Sequence, residues 1–164
     1  MSYLRFIKGG KVQKIIYKIK YEGRKEGAYQ LGKWYGWELT KHSFRQQFDL
    51  ILPVPLHKKK LRKRGFNQSD WFASGLSEVL GVEWSASILA KVDDRSSQTN
   101  KSRWKRWINA QELYVVVKPE AVRNKRILLV DDVVTTGSTL EACSLELFKA
   151  GAAEVSIATI ACAM

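Results

Sequence analysis

Ile127-Leu128-Leu129-Val130-Asp131-Asp132-Val133-Val134-Thr135-Thr136-Gly137-Ser138-Thr139 is the stretch from which the fold is read. Its four leading residues are all apolar, the pattern of a parallel strand covered on both faces. Beyond the turn a helical stretch runs from about Ser138 to Ala150 and stops at Gly151, and Glu154–Ala161 reads as a further strand. Strand, helix and strand in succession form a βαβ unit, so the class is α/β with a mainly parallel sheet. Asp131 and Asp132 then stand at the carboxyl end of a buried strand, where open α/β sheets bind their ligands.

The turn that follows has the chemistry of an anion cradle. Gly137 lets the backbone approach closely, Thr135, Thr136, Ser138 and Thr139 add hydroxyl donors, and the helix start offers unpaired N–H groups. The acids repel a phosphate but accept hydrogen bonds from hydroxyls. Together they suit a sugar phosphate, with its hydroxyls at the acids and its phosphate in the turn. Ser138 and Glu141 also have capping-box spacing, a role compatible with the first because both use the same helix end. An acid pair after an apolar strand also occurs in nucleotide hydrolases, but those need a GxxxxGK[ST] loop and the chain has none.

Working outward, Val12, Ile15, Ile16 and Ile19 have helical spacing, with Lys11, Lys14 and Lys18 on the opposite side. A second helix covers about Lys25–His42, interrupted by Gly27, Gly32 and Gly36. Asp49–Pro55 reads as a short buried strand leaving into a loop, and Phe72, Leu76, Val79 and Leu80 mark a helix ended by Gly81. Val92–Ser102 reads as a polar loop and Leu113–Val117 as a strand.

The 164 residues, 45% hydrophobic and 27% charged, suit one globular domain. No apolar run is long enough to span a bilayer and the first residues do not resemble a signal peptide, so no membrane insertion and a cytoplasmic location are expected. Cys143 and Cys162 form no disulfide framework, and with only His42 and His57 beside them no zinc is expected. Residues 1–126 carry a net charge of +16 and residues 127–164 a net charge of −4, so the basic body calls for an anionic partner: a phosphate ligand, nucleic acid or an acidic surface. Six of the seven residues 58–64 are Lys or Arg. Lys101, Arg103, Trp104, Lys105, Arg106 and Trp107 mix cations with rings, as in single-strand nucleic-acid binders or in a helical turn whose tryptophans face the core.

The strand, acid pair and Thr-Thr-Gly-Ser-Thr turn resemble the PRPP-binding motif of type I phosphoribosyltransferases. Pro53-Val54-Pro55-Leu56-His57, Arg64-Gly65-Phe66-Asn67-Gln68, Lys20-Tyr21-Glu22-Gly23, the spaced Gln98, Arg106 and Asn109, and Ala150-Gly151-Ala152 are together similar to the ComF family of phosphoribosyltransferase-like proteins, from about Tyr17 to Ala161. The resemblance implies one phosphoribosyltransferase-like domain over 1–164, with a helical part at 1–46, a PRPP-binding core at 47–164 and a small hood or loop region. It implies that Asp131 and Asp132 are catalytic and meet the ribose 2′ and 3′ hydroxyls. Thr135, Thr136, Gly137, Ser138 and Thr139 would hold the 5′-phosphate. A loop over Pro55–Arg64 would face the pyrophosphate, with Arg64 and Gly65 as candidates, and Arg95, Gln98 and Arg106 would belong to a closing loop. Magnesium would arrive with PRPP rather than on protein ligands of its own.

Many ComF proteins begin with a four-cysteine zinc finger that is not present here, and Lys101 stands where the family often has leucine. The expected function is transfer or sensing of the phosphoribosyl group of PRPP, or of another phosphorylated ribose, by a pentosyltransferase whose acceptor the sequence does not name. No glutamine-hydrolysing domain accompanies it. The alternative is a non-catalytic module of DNA uptake that binds single-stranded DNA through Lys101, Arg103, Trp104 and Lys105 and works with the uptake machinery of natural competence.

Overall fold

The computed structural model describes residues 2–6 (backbone only), 10–41, 47–92 and 114–163. In chain order the elements are β1 Ser2–Phe6, α1 Lys11–Tyr21, α2 Lys25–Lys41, β2 Leu50–Pro53, α3 Lys58–Arg64, α4 Gln68–Leu80, β3 Leu89–Lys91, β4 Tyr114–Val116, β5 Arg126–Val134, α5 Ser138–Lys149 and β6 Glu154–Ala163. Among the described residues the central sheet has four strands, all parallel, in the order β1-β6-β5-β2. A two-stranded antiparallel ribbon of β3 and β4 stands apart from it. The expected mainly parallel sheet flanked by helices is what forms.

The unbroken apolar run of β5 has the cause the sequence suggested. Leu128 and Val130 join Ile51, Phe72, Leu76, Leu31 and Tyr35 on the α2–α4 side. Ile127 and Leu129 join Leu52, Leu140, Cys143 and Leu147 on the α5 side. Each such buried leucine or isoleucine contributes about 1.5–3 kcal/mol relative to exposure. The start of β5 is fixed by Asp49: its carboxylate accepts from the Arg126 backbone N–H at 2.8 Å and from the guanidinium Nη2 at 2.7 Å. The bonds from Arg126 hold the Asp49 carboxyl well below the usual carboxylate range.

The glycines that interrupt α2 are its docking surface. A Cβ on Gly32 would run into the Phe72 carbonyl oxygen of α4, and a Cβ on Gly75 into the Tyr29 carbonyl oxygen of α2. The two helices touch backbone to backbone, which only glycine permits. In α1 the stripe is narrower than its spacing suggests. Ile16 and Ile19 are buried, whereas Ile15 is 43% exposed.

Three expectations change. The stretch Lys58–Arg64 is a short helix rather than a loop, held at its start by His57, whose Nδ1 accepts from the Lys59 N–H at 3.1 Å, and ended by Gly65 at φ 79°. No residue of α3 is buried, so no apolar periodicity announces it. The Ser138–Glu141 capping box does not form: Gly137, at φ 81°, occupies the cap position and has no side chain to cap with, and Ser138 is already helical. Finally, β1 and β3 are strands that the sequence reading left out, and β6 runs to Ala163. His42 and Leu113 lie outside the described residues.

Candidate functional site

The end of β5 is where the structure gathers its polar side chains, and the two acids there differ. Asp132 is buried, 6% exposed, and fully engaged. Its Oδ2 accepts from Lys20 Nζ at 2.5 Å and from Gln68 Nε2 at 2.8 Å, and its Oδ1 accepts from the Val133 N–H at 2.7 Å. Asp131 is partly open and accepts on Oδ1 from Ser69 Oγ at 3.0 Å and from the Asp132 N–H at 2.8 Å. Burial of its carboxyl, with the Asp132 charge adding to it, pushes the Asp131 pKa up to about 7. A low-dielectric site cannot readily hold two adjacent carboxylates ionised. Lys20 pairs with Asp132, and Asp131 stands where the cup and the adjoining cleft meet.

The turn beside the acids encloses a small cup. A cavity of 60 Å³ is lined by Asp131 and by residues 133–140. Thr136 Oγ1 and Ser138 Oγ lie 3.1 Å apart, and Thr135, Thr136 and Ser138 are exposed. Gly137 at the cap position has no side chain to offer, so the start of α5 keeps N–H groups for a ligand or for water, although the Ser138 N–H already meets Thr136 Oγ1 at 3.5 Å. A Cβ on Gly137 would meet nothing nearer than Val134 Cγ2 at 4.0 Å, so the positive φ, not crowding, requires glycine there. All five turn residues and Asp131 thus surround one small space.

A larger cleft of 190 Å³ adjoins the cup and shares Asp131 and Thr139 with it. Its other walls include Lys20, His57, Arg64, Gln68, Lys91 and Tyr114. In the segment Arg64-Gly65-Phe66-Asn67-Gln68, four residues have a definite structural part. Arg64 Nη1 donates to Gln68 Oε1 at 3.0 Å, and Gln68 passes the connection on to Asp132. Gly65 ends α3. Asn67 caps α4, accepting from the Ser69 N–H, and donates to the Val54 carbonyl at 3.1 Å, which ties the exit of β2 to α4. Of the pyrophosphate candidates, Arg64 lines the cleft, while Gly65 shapes the backbone.

Arg95, Gln98 and Arg106, and the candidates Lys101, Arg103, Trp104 and Lys105, lie outside the described residues. The sequence reading passed over Lys20, Gln68 and Ser69 as site residues. Lys20 and Gln68 do sit inside the motifs quoted for the family resemblance, but nothing local to them signals a partner more than sixty residues away. Lys91 and Tyr114, joined by a 2.9 Å hydrogen bond across the ribbon, were missed too, because β3 was not read as a strand.

Residues 67–163 match the phosphoribosyl transferase domain family, a span that takes in α4, the acid pair and the cup. The chain belongs to that family. Its relatives put this phosphoribosyl transferase domain in the ComF branch. It is 32% identical over 146 residues to the DNA utilization protein YhgH of Salmonella typhimurium, a match covering 87% of this chain and 63% of that protein. It is 32% identical over 130 residues to competence protein ComFC of Streptococcus pneumoniae, covering 79% and 56%. The chain therefore spans under two thirds of the length of the curated relatives it matches. Among solved structures, it is similar in fold to a glutamine phosphoribosylpyrophosphate amidotransferase from B. subtilis, with a TM-score of 0.59 and 22% identity over 88% of this chain and 30% of that one. No helix among the described residues is long and apolar enough to cross a membrane.

Proposed function

We propose that this ComF-type domain binds PRPP, with the 5′-phosphate in the cup of Thr135–Thr139 and the ribose hydroxyls at the Asp131 edge, and that it transfers the phosphoribosyl group. The observation that carries the reading is the uncapped start of α5 opening into a cavity whose rim is Asp131. Neither half alone is specific. A donor cup beside an acceptor edge fits a molecule that carries a phosphate and hydroxyls a few ångströms apart.

In the transfer, the C1–O bond to pyrophosphate breaks with its electron pair on oxygen, and a lone pair of the acceptor forms the new bond at C1. The chain's part is to orient and to balance charge. The cup fixes the 5′ end. Asp131 accepts from hydroxyls and stands near the positive charge that develops on the ribose ring. Lys20 and Arg64 line the adjoining cleft, where the departing pyrophosphate accumulates negative charge. A magnesium ion would be carried on the ligand's own oxygens, with the Asp131 carboxylate at hand as an oxygen donor. Bound in that way, magnesium would neutralise pyrophosphate charge.

Calorimetric titration of PRPP with and without magnesium tests the reading. Asp131→Asn should weaken binding by about tenfold to a hundredfold, through the loss of charge-assisted contacts to the ribose hydroxyls. Equal heats in the two proteins would remove the site.

A second reading, binding of single-stranded DNA in DNA uptake, is favoured by α3, which exposes Lys58, Lys59, Lys60, Arg62 and Lys63 and buries nothing. Affinity for an oligonucleotide should then fall steeply with salt, and the absence of a salt slope would count against it.

A further inference from the structure

A third space, of 350 Å³, opens between the carboxyl end of α1 and α3, on the far side of Lys20 and Arg64 from the acid pair. Its walls carry Lys20, Lys60, Lys63 and Arg64, with the rings of Tyr21 and Phe66, and no acidic residue. Lys20, Lys60 and Arg64 also line the 190 Å³ cleft, so the two spaces share a wall. The guanidinium of Arg64 lies over the Tyr21 ring, 5.2 Å from its centroid, and is steered by its bond to Gln68. That gives a flat, cationic surface of fixed orientation. Tyr21 in turn packs against Tyr17, with ring centroids 4.8 Å apart. Both tyrosines are about 60% exposed, a large apolar exposure for rings that serve no core.

We propose that this cleft is a second binding site, for a small molecule made of a planar ring and a negatively charged group. The ring would stack on the Arg64–Tyr21 pair and against Phe66, and the anion would be met by Lys60 and Lys63. A bare phosphate has no use for the aromatic walls, and a neutral heterocycle has none for the cations. The volume matches a single ring system with one charged substituent, near the lower end of small-molecule pockets. Nucleoside monophosphates and aromatic carboxylates share this chemistry. The site goes beyond the PRPP reading: it shares Lys20, Lys60 and Arg64 with the adjoining cleft and adds residues of its own. Lys63, Tyr21 and Phe66 line this cleft and neither of the other two.

Equilibrium titration of the full chain with adenosine monophosphate, orotate, adenine, inorganic phosphate and a short oligothymidylate tests the proposal. At least one of the first two should bind, with adenine and phosphate each about tenfold weaker or worse. Which of the two binds distinguishes nucleotide from carboxylate. Lys63→Glu and Tyr21→Ala should each weaken that ligand by about tenfold while leaving PRPP affinity unchanged, and Asp131→Asn should leave the planar anion unaffected. Tyr21 and Lys63 are exposed, and unchanged thermal melting of both variants would show that folding is intact. Adenine or phosphate binding as tightly as the ring-bearing anions would overturn the proposal, and so would insensitivity to both variants. An oligothymidylate binding far more tightly than either small anion would reassign the cleft to a strand. Failure of PRPP to bind, with the planar anion still bound and still sensitive to Lys63→Glu, would sink the PRPP reading and leave this one standing.

Discussion

At the scale of the residue, the unexpected partner is Lys20. It reaches from the end of α1 to the buried Asp132 and makes the acid pair tolerable. Removing one member of such a pair leaves the other short of a partner, so Lys20→Met should destabilise the fold by about 1–3 kcal/mol, discounted because the lysine is partly exposed. Urea denaturation at pH 8 measures this, and Lys20→Arg should recover most of the loss. Asp131 behaves in the opposite way. Its folded-state pKa, about 7, lies above the ordinary value, so the folded chain binds the extra proton and stability falls as pH rises from about 4 to about 7. Asp131→Asn keeps the oxygen that accepts from Ser69 and from the Asp132 N–H but carries no charge. It should raise stability at pH 8 and change little at pH 4, in the same urea assay. A substitution that stabilises the fold while weakening PRPP binding is the signature of a functional acid. Equal effects at both pH values would show that the burial of Asp131 has been misread.

At the scale of the element, the helices differ in what specifies them. The strand β5 and helix α5 are written locally, in an apolar run and a 3.6-residue stripe, and both were legible. The contact of α2 with α4 is written in glycines, which in sequence alone look like helix breakers. Gly75→Ala would set a methyl group against the Tyr29 carbonyl, and the helices must separate to admit it. A loss of about 2–3 kcal/mol is expected, although alanine is the better helix former by about 1 kcal/mol. Thermal melting decides the sign, and a higher melting temperature would refute the close approach. The short helix α3 could not be read, because with no buried side chain it has no stripe, and its two ends are set by His57 and Gly65. The capping box failed for a related reason. The spacing of Ser138 and Glu141 is right, but Gly137 adopts the left-handed conformation and takes the cap position.

At the scale of the whole molecule, the sheet order places β5 between β2 and β6, so the exit loop of β2 and the turn after β5 open on the same edge. Parallel strands make this unavoidable, and it is why the acid-bearing strand end reads as a candidate site from one segment. The acids and the cup were legible because they are contiguous in the chain. The Arg64–Gln68–Asp132–Lys20 connection was not, since it joins α3, α4, β5 and α1 across sequence gaps with no shared pattern. The basic charge of residues 1–126 was legible as a sum, and the structure resolves part of it into a lined cleft beside α3. The central claim, that one phosphorylated pentose is gripped by the cup and the acid edge together, is tested most directly by a crystal structure of the chain with PRPP and magnesium. The account predicts the 5′-phosphate against the N–H groups of Thr135–Thr139 and the ribose hydroxyls beside Asp131. A ligand whose 5′-phosphate sits on α3, with the cup left empty, would contradict it.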